Sequence, residues 1–281
     1  MADFREHFVK CCGYEIHVRA WGDPAKRPLI MMHGLARLAD DFDHVAPHFT
    51  DQYYVLCPTM IGRGFSGWAK DPDREYTVPF YVAQMFELLD HFGVSTCDWI
   101  GTSMGGLIGL YATAEVAGRI EKLVLNDIGP ELDPNAVARI KSYVGASPEF
   151  ETIDDVEKLV RLVYAPFGVA NDATWAFLAS RSVRRLPNGN FMMHYDPEVM
   201  RIFAEHIDSF DAWDVFDALP CPVMLISGEQ SDLIPRAIVD KMKNKKPEMP
   251  VFAVANCGHA PHLNDKAQIN AIRDFLGSTS Q

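Results

Sequence analysis

Long apolar runs are missing from this sequence of 281 residues. No stretch approaches the ~20 apolar residues that a membrane-spanning helix requires, and residues 1–6 lack the apolar core of a signal peptide. Basic residues are scarce too, with 26 Lys and Arg against 38 Asp and Glu and a formal net charge of -12. This balance gives no basic face for nucleic acid or anionic lipid. We therefore expect a soluble, cytoplasmic protein without nucleic-acid or membrane partners.

Paired cysteines and metal-ligand spacings are absent as well. The cysteines form no Cys-x-x-Cys pair and show no ligand-like spacing with histidines; they are Cys11, Cys12, Cys57, Cys97, Cys221 and Cys257. We expect reduced residues in or near the core. For Cys257, two positions before His259, a small buried side chain is favoured over a reactive thiol. The sequence predicts no metal and no cofactor.

Short apolar runs alternate with helical patterns along most of the chain. An opening antiparallel hairpin is predicted over Phe4–Lys10 and Tyr14–Ala20. Buried strands are predicted at Pro28–Met32, Tyr53–Cys57, Cys97–Ile100, Ile120–Asn126, Pro222–Ser227 and Pro250–Ala255. Helices are expected at about Leu38–Phe49, at Thr77–Phe92 and directly after Ser103. The alternation predicts an α/β protein with a mostly parallel central sheet flanked by helices.

Residues 129–215 interrupt this alternation. They show helical patterns and no convincing buried strand, with helices expected near Asn135–Val144, Ile153–Tyr164, Asp172–Ser182 and Pro197–Ile207. An all-helical insertion between two strands suggests a cap, or lid, over the carboxyl edge of the sheet. We therefore expect a core domain in two parts, residues 1–128 and 216–281, with a helical cap at 129–215 between them.

A serine held between glycines follows one of the predicted strands. The segment Gly101-Thr102-Ser103-Met104-Gly105 has the Gly-x-Ser-x-Gly spacing of a sharp turn from strand to helix. Glycines allow strand and helix to pass closely, and the free N–H groups of the helix start favour negative charge beside the hydroxyl. We interpret Ser103 as a nucleophile for acyl transfer. The alternative is a purely structural turn residue.

A serine nucleophile needs a neutral histidine as base and a carboxylate that orients this histidine. The strand Pro222–Ser227 leads to Asp232, and the strand Pro250–Ala255 leads to His259. Both residues are expected at the same sheet edge as Ser103, because the carboxyl ends of parallel strands meet there. We predict a catalytic triad of Ser103, Asp232 and His259. For His262, one helical turn after His259, a packing or pocket-wall role is expected instead.

The order Ser103, Asp232, His259, with His33-Gly34 after an earlier strand, resembles the α/β-hydrolase superfamily over nearly the whole chain. In that family His33-Gly34 resembles the segment before the oxyanion loop. The resemblance implies that backbone N–H groups of Leu35 and Met104 stabilise a tetrahedral oxyanion. His33 either orients this loop by hydrogen bonding or is an ordinary histidine at a strand end.

The family offers a second candidate for the acid. Asp127 follows the strand Ile120–Asn126 and could act on His259 or could cap or brace the lid. Asp232 is preferred because it follows the next strand along the chain, in a turn-rich loop. In the Asp-x-x-Gly-x-Gly-x-Ser signature of the family, this chain has Thr59 at the aspartate position. This departure weakens a structural hydrogen bond and leaves the catalytic interpretation unchanged.

The resemblance to this family also reduces the number of possible reactions. Haloalkane dehalogenases and epoxide hydrolases have an aspartate as nucleophile, which Ser103 argues against. Carbon–carbon bond hydrolases of the meta-cleavage type commonly have Asn before the serine and Trp shortly after the histidine. Here Thr102 and the segment Ala260-Pro261-His262 stand at those places. This weakens that interpretation but leaves it open.

We therefore predict a serine hydrolase, monomeric or homodimeric, that cleaves ester or lactone bonds of small, partly hydrophobic substrates. Gly34, Phe167 and Trp175 are expected to contact the substrate. Alternatives are a carbon–carbon hydrolase or enol-lactonase of aromatic catabolism, and a small-molecule receptor with little turnover. A basic cluster in the cap either binds a substrate carboxylate or is a solvated patch; it consists of Arg181, Arg184 and Arg185.

Overall fold

The computed structural model describes residues 4–146, 148–169, 171–203 and 210–278. Within these ranges the strands are β1 (Phe4–Cys11), β2 (Tyr14–Trp21), β3 (Arg27–Met32), β4 (Tyr53–Thr59), β5 (Cys97–Thr102), β6 (Ile120–Asn126), β7 (Glu149–Phe150), β8 (Val183–Arg185), β9 (Phe191–Met193), β10 (Val223–Gly228) and β11 (Val251–Val254). The α-helices are α1 (Pro72–Glu75), α2 (Val78–His91), α3 (Met104–Glu115), α4 (Pro134–Val144), α5 (Ile153–Val163), α6 (Asp172–Arg181), α7 (Trp213–Asp217), α8 (Arg236–Lys245) and α9 (Lys266–Gly277).

The central sheet has eight strands in the order β1-β2-β4-β3-β5-β6-β10-β11. β1 and β2 form an antiparallel hairpin, and β2 pairs antiparallel with β4. The later pairings of β4, β3, β5, β6, β10 and β11 are all parallel. The predicted opening hairpin and mostly parallel sheet are thus confirmed. The loops that follow the parallel strands meet at one edge of this sheet.

Apolar side chains cover both faces of the sheet. Successive residues of a strand point to opposite faces, so Trp99 joins one buried cluster and Ile100 joins the other. The first cluster includes residues of α2, α3 and α8, and the second includes residues of α9. Each central strand is therefore apolar along most of its length, as a sheet covered on both faces requires. The core keeps the loops at the sheet edge in fixed positions.

The segment expected to form one helix at Leu38–Phe49 is different. It forms two 3₁₀ helices, Ala39–Phe42 and Ala46–Phe49. Pro47 lies in the first turn of the second one, where its missing N–H is tolerated, but inside a continuous helix it would remove a backbone hydrogen bond. The apolar residues of both turns still pack on the sheet. The helix expected at Thr77–Phe92 is close to the observed helix α2, and Thr77 is its N-cap.

The insertion is not all helical, contrary to the sequence prediction. Helices α4, α5 and α6 are present, but β7, β9 and β8 form a separate three-stranded antiparallel sheet. These strands have two or three residues each, too few for an alternating pattern to stand out in the sequence. Of the helix expected at Pro197–Ile207, residues Pro197–Phe203 form a 3₁₀ helix, and 204–207 lie outside the described residues.

Membrane spans and metal clusters are two features that the described residues do not show. In the part of the chain that is described, no helix combines the length and apolar character needed to cross a membrane. Over the same residues, no group of three or more His, Cys, Asp or Glu side chains is arranged to hold a metal ion.

Candidate active site

Ser103 occupies a strained turn between β5 and α3. Its backbone has φ 51° and ψ -118°, a conformation that L-residues rarely adopt. The flanking glycines make this turn possible. A Cβ on Gly101 would lie 2.3 Å from the carbonyl oxygen of Gly105, and one on Gly105 would lie 2.3 Å from that of Met32. The Gly-x-Ser-x-Gly spacing is therefore a packing requirement here, and it places the Ser103 hydroxyl at the sheet edge.

His259, in the loop after β11, contacts this hydroxyl. Its Nε2 lies 2.9 Å from Ser103 Oγ, and its Nδ1 lies 2.8 Å from Oδ2 of Asp127. The imidazole is 9% exposed and the Asp127 residue is fully buried. With Nδ1–H donating to the carboxylate, Nε2 is left to accept the serine proton. The three side chains form one continuous chain of hydrogen bonds.

Asp127 follows β6 directly and is held by further donors. The Gly228 amide donates to Oδ1 at 2.9 Å, and the Ser231 hydroxyl donates to Oδ2 at 2.6 Å. These two hydrogen bonds fix the position and orientation of the carboxylate in a buried site. Both donors come from β10 or the loop after it. The segment from Gly228 to Ser231 therefore holds the Asp127 carboxylate in place but does not itself provide the carboxylate that contacts His259.

The predicted position of Asp232 beside His259 is wrong. Its carboxylate accepts two hydrogen bonds from Arg139 of α4, at 2.7 and 3.0 Å, and its side chain is 45% exposed. In the loop after β10 it is Ser231 that faces Asp127, so the next side chain turns towards solvent. The weaker candidate from the sequence, Asp127, is the carboxylate that contacts the histidine.

Two backbone amides were expected to form an oxyanion site. Met104 is the first residue of α3, where an amide N–H has no intrahelical acceptor. Gly34, directly before Leu35, packs against the nucleophile turn: a Cβ built on it would lie 3.8 Å from Ser103 Cβ. Leu35 and Gly34 both line the cavity that contains the Ser103 side chain. The two segments thus meet beside the hydroxyl.

His33 fixes the loop that carries Leu35. The Met60 amide donates to its Nε2 at 3.0 Å, which leaves Nδ1–H to donate to the Gly34 carbonyl at 2.7 Å. Burial lowers the pKa of His33 to about 3, and the nearby charge of Arg63 adds to this effect. The imidazole is therefore neutral at physiological pH and acts as a fixed donor and acceptor. Of the two roles considered for His33, orienting the loop is the one its hydrogen bonds support.

Arg63, which the sequence reasoning overlooked, is fully buried behind the same loop. Its Nε donates to the Leu35 carbonyl at 2.8 Å, and one terminal nitrogen lies 3.3 Å from the sulfur of Met104. The other donates to the Ile61 carbonyl and the Tyr81 hydroxyl. Among the described residues no carboxylate lies within 4.0 Å of this guanidinium. The only sequence signal was its position between Gly62 and Gly64.

Thr59, at the position of the family aspartate, retains polar contacts. Its hydroxyl accepts a hydrogen bond from the Ala39 amide at 3.1 Å, and its carbonyl accepts one from the Ser66 hydroxyl at 2.5 Å. The loop from β4 to Ser66 is therefore held without the aspartate. Arg63 lies in this same loop, so the contacts of Thr59 also help to fix the guanidinium.

A cavity of about 80 Å³ lies over Ser103. Its wall combines residues of the core with apolar residues of the insertion, among them Leu132, Ile140, Tyr143, Tyr164 and Phe167. Of the expected substrate contacts, Gly34 and Phe167 line this cavity. Trp175 does not, because it packs with Val160 and Leu178 in the core of the insertion. His262 lines the cavity, as expected for a wall residue.

The remaining candidates lie outside this cavity or are chemically inert. Arg181, Arg184 and Arg185 line a second cavity that shares no wall residue with the first. Cys257 is buried, and burial together with the charge of Asp127 raises the pKa of its thiol to about 12. A thiol of such weak acidity is not a nucleophile at neutral pH.

Comparison with known proteins identifies the family of this chain. The sequence model of the family described as alpha/beta hydrolase fold matches residues 27–266. The 3-hydroxybutyrate-oligomer hydrolase of Cupriavidus necator is 36% identical over 283 aligned positions, which cover 96% of each chain. The N-formylmaleamate deformylase of Pseudomonas putida is 27% identical, with 95% of each chain covered. The crystal structure of an alpha/beta hydrolase from Novosphingobium aromaticivorans superimposes with a TM-score of 0.87 at 32% identity, covering 98% of this chain and 99% of that one.

Proposed function

This chain belongs to the α/β-hydrolase fold family and is a hydrolase acting on ester bonds, and from this premise we propose that Ser103 is its nucleophile. The hydrogen-bond chain from Ser103 through His259 to Asp127 is the observation that carries the proposal. It supplies a hydroxyl, a base within reach of its proton and a carboxylate that fixes the base. The reaction forms an acyl-enzyme intermediate on Ser103.

In the first half of the reaction, His259 Nε2 takes the proton of Ser103 as Oγ attacks the ester carbonyl. The imidazolium that forms is stabilised by the buried Asp127 carboxylate, 2.8 Å from Nδ1. The carbonyl oxygen becomes negatively charged and accepts hydrogen bonds from the amides of Leu35 and Met104. His259 then donates its proton to the departing alcohol, and the acyl group stays on Ser103.

In the second half, water replaces the alcohol. His259 takes a proton from this water, which attacks the acyl carbonyl, and the same two amides stabilise the second oxyanion. Collapse of the intermediate releases the acid and returns the proton to Ser103. No step requires chemistry beyond these side chains and amides.

We further propose that the substrate is a short ester of a hydroxy acid. A small cavity whose wall is apolar over most of its area fits a short acyl chain better than a long one. The Cupriavidus relative, 36% identical along nearly its whole length, is a hydrolase of 3-hydroxybutyrate oligomers. Oligomers of this class are small, partly apolar and joined by ester bonds. The insertion that supplies Phe167 and Tyr164 acts as a lid over the bound ester.

A substrate panel with matched serine variants tests the proposal. The 3-hydroxybutyrate dimer, p-nitrophenyl butyrate, a butyrolactone and a ring-cleavage dienone are each incubated with wild type, Ser103→Ala and Ser142→Ala. Ser142 is a control because, among the described residues, its exposed hydroxyl bonds only the backbone of its own helix, at 2.7 Å. We expect dimer and p-nitrophenyl ester turnover by wild type and Ser142→Ala and none by Ser103→Ala.

A fluorophosphonate probe gives an independent result. Mass spectrometry should place its adduct on Ser103, and pre-incubation with the ester should slow labelling. Retained ester turnover in Ser103→Ala would exclude the proposed nucleophile. Preferential cleavage of the dienone would favour a carbon–carbon hydrolase, and slow single turnover with tight ligand binding would favour a receptor.

A further inference from the structure

A second cavity, of about 300 Å³, lies between the core and the insertion. The core contributes residues of β2 and of the loops around Leu38 and Phe65, and the insertion contributes the end of α6 and strand β8. Its volume is within the range of small-molecule sites. None of its wall residues lines the cavity over Ser103, so it is a separate compartment.

The wall of this cavity is strongly basic in a protein of net charge -12. Its charged residues are four arginines and a single acid, namely Arg19, Arg181, Arg184, Arg185 and Asp40. Two histidines are also present, and burial lowers the pKa of both; that of His194 falls to about 4, with help from the charge of Arg184. The histidines are therefore neutral at pH 7, and the excess positive charge comes from the arginines.

Two of these arginines have no carboxylate partner. Among the described residues, Arg184 and Arg185 have no Asp or Glu oxygen within 4.0 Å. Arg184 lies over the Trp68 ring at 5.1 Å, and Arg185 lies over the Phe191 ring at 4.3 Å. Stacking on aromatic rings holds the guanidinium groups in position and leaves most of their N–H donors unused.

A third arginine is buried in the same wall. The side chain of Arg19 is 5% exposed, and it donates to Asp43 at 2.7 Å and lies 3.1 Å from Asp40. Its Nε is buried and has no hydrogen-bond acceptor in the described part of the chain. Oε1 of Glu6 lies 3.5 Å from a terminal nitrogen of Arg19 and 3.6 Å from Nε2 of the neighbouring His17. Arg19 therefore adds positive charge to the wall of the cavity, although neighbouring carboxylates partly offset it.

We propose that this second cavity binds a small organic anion, a molecule with a carboxylate or phosphate group and a short apolar part. The planar guanidinium groups match the paired oxygens of either anion. Leu38 and Val183 in the same wall, with Phe65 at 66% exposure, offer apolar contact for the remainder of the ligand. The site is independent of the reaction at Ser103 and requires no catalytic residue.

Calorimetric titration of the wild-type protein tests this site. The probes are butyrate, butyl phosphate and uncharged butanol, which share an alkyl chain and differ in the head group. We expect saturable binding of at least one anion and none of butanol. The stronger of the two anions identifies the head group that the cavity recognises. Absence of saturable binding for both anions would overturn the proposal.

Paired variants locate the binding. Arg184→Gln with Arg185→Gln removes the two unpaired charges, whereas Arg74→Gln with Arg236→Gln removes the same charge from distant, highly exposed positions. The first pair should weaken binding about tenfold or more, since charge-assisted hydrogen bonds are lost, and the second should leave it nearly unchanged. Melting temperatures of both pairs should stay close to wild type, because all four side chains lie at the surface.

Two further outcomes would contradict the assignment. If both pairs of substitutions weakened anion binding equally, binding would depend only on the net charge of the protein and not on this cavity. Loss of binding in Phe167→Ala, with the arginine pair behaving as wild type, would place the anion in the cavity over Ser103 instead.

Discussion

Asp127→Asn is the substitution that separates the two acids considered for this site. The Asp127 carboxylate accepts hydrogen bonds from His259, Ser231 and the Gly228 amide, so all of its close partners can act as donors. An amide of the same size keeps one oxygen and replaces the other with a group that only donates. The packing of the site is preserved, and the pattern of donors and acceptors is not.

Neither orientation of the new amide suits the reaction. If its oxygen accepts from Gly228, its NH₂ faces His259 Nδ1, so the imidazole proton moves to Nε2 and the base cannot accept from Ser103. If its oxygen faces His259, its NH₂ meets the buried Gly228 amide, and two unpaired donors cost roughly 1–3 kcal/mol. The first orientation is therefore favoured, and it fixes the wrong tautomer.

The expected loss of kcat is about 10⁴-fold, the size found for the corresponding change in a serine protease. This corresponds to roughly 5.5 kcal/mol of barrier. Asp232→Asn is the matched control, because its partly exposed ion pair with Arg139 contributes little to stability. We expect its kcat within about twofold of wild type.

Steady-state kinetics with p-nitrophenyl butyrate measures both variants, and the melting temperature of each verifies folding. If Asp127→Asn kept more than about a tenth of the wild-type kcat, Asp127 would not be the acid of the site. A greater loss of activity in Asp232→Asn than in Asp127→Asn would assign that role to Asp232 instead.

Three further substitutions or conditions have defined outcomes. Arg63→Met should lower kcat about 10- to 100-fold with little change in KM, because the oxyanion loop loses its support. Arg63→Lys should recover part of the lost kcat. Equal loss of kcat in both variants, or a change in KM alone, would count against a positioning role for Arg63. Gly105→Ala should lower Tm by at least ~6 °C in calorimetry, because the new Cβ meets the Met32 carbonyl oxygen at 2.3 Å. Gly277→Ala is the control and should not lower Tm, because no atom of the described residues would lie within 4 Å of its Cβ. Burial lowers the pKa of His33 to about 3, so between about pH 6.5 and 3 the imidazole is protonated in the unfolded chain and neutral in the folded chain. The free energy of unfolding should therefore fall as pH decreases from about 6.5 towards 3. A Tm that is constant between pH 7 and 5 would refute this prediction.

The sequence predicts the sheet and two of the three hydrogen-bonded side chains because local signals specify them. Apolar runs mark the central strands, and the glycines around Ser103 leave few alternatives to a sharp turn into a helix. His259 follows the last strand, and parallel strands deliver their following loops to one edge. These relations depend on order along the chain, which the sequence contains.

The choice between Asp127 and Asp232 depends on side-chain direction, which the sequence does not contain. Both residues lie after neighbouring strands, β6 and β10, at the same edge. The difference arises in the loop after β10, where Ser231 donates to Asp127 and the following residue turns to Arg139. A usable signal was that Asp127 follows its strand with no intervening residue, so its position is fixed by the sheet.

The position of Trp175 was missed for a similar reason. An aromatic residue in an insertion suits a pocket wall and a small core equally well in the sequence. In the structure α5 and α6 pack against one another and bury Trp175 with Val160 and Leu178. The insertion therefore has an apolar core of its own, and only the side chains that face the sheet edge are left for the substrate cavity.

Arg63 and Asp127 together explain how a small cavity can favour charge separation. In the proposed reaction the positive charge develops on His259 and the negative charge on the carbonyl oxygen. A buried carboxylate lies behind the first, at 2.8 Å from Nδ1, and a buried guanidinium lies behind the amides expected to bind the second. Both are fixed by hydrogen bonds before substrate arrives, so neither must reorient during the reaction. The kcat loss expected for Arg63→Met is thus the counterpart, on the oxyanion side, of the loss expected for Asp127→Asn on the histidine side.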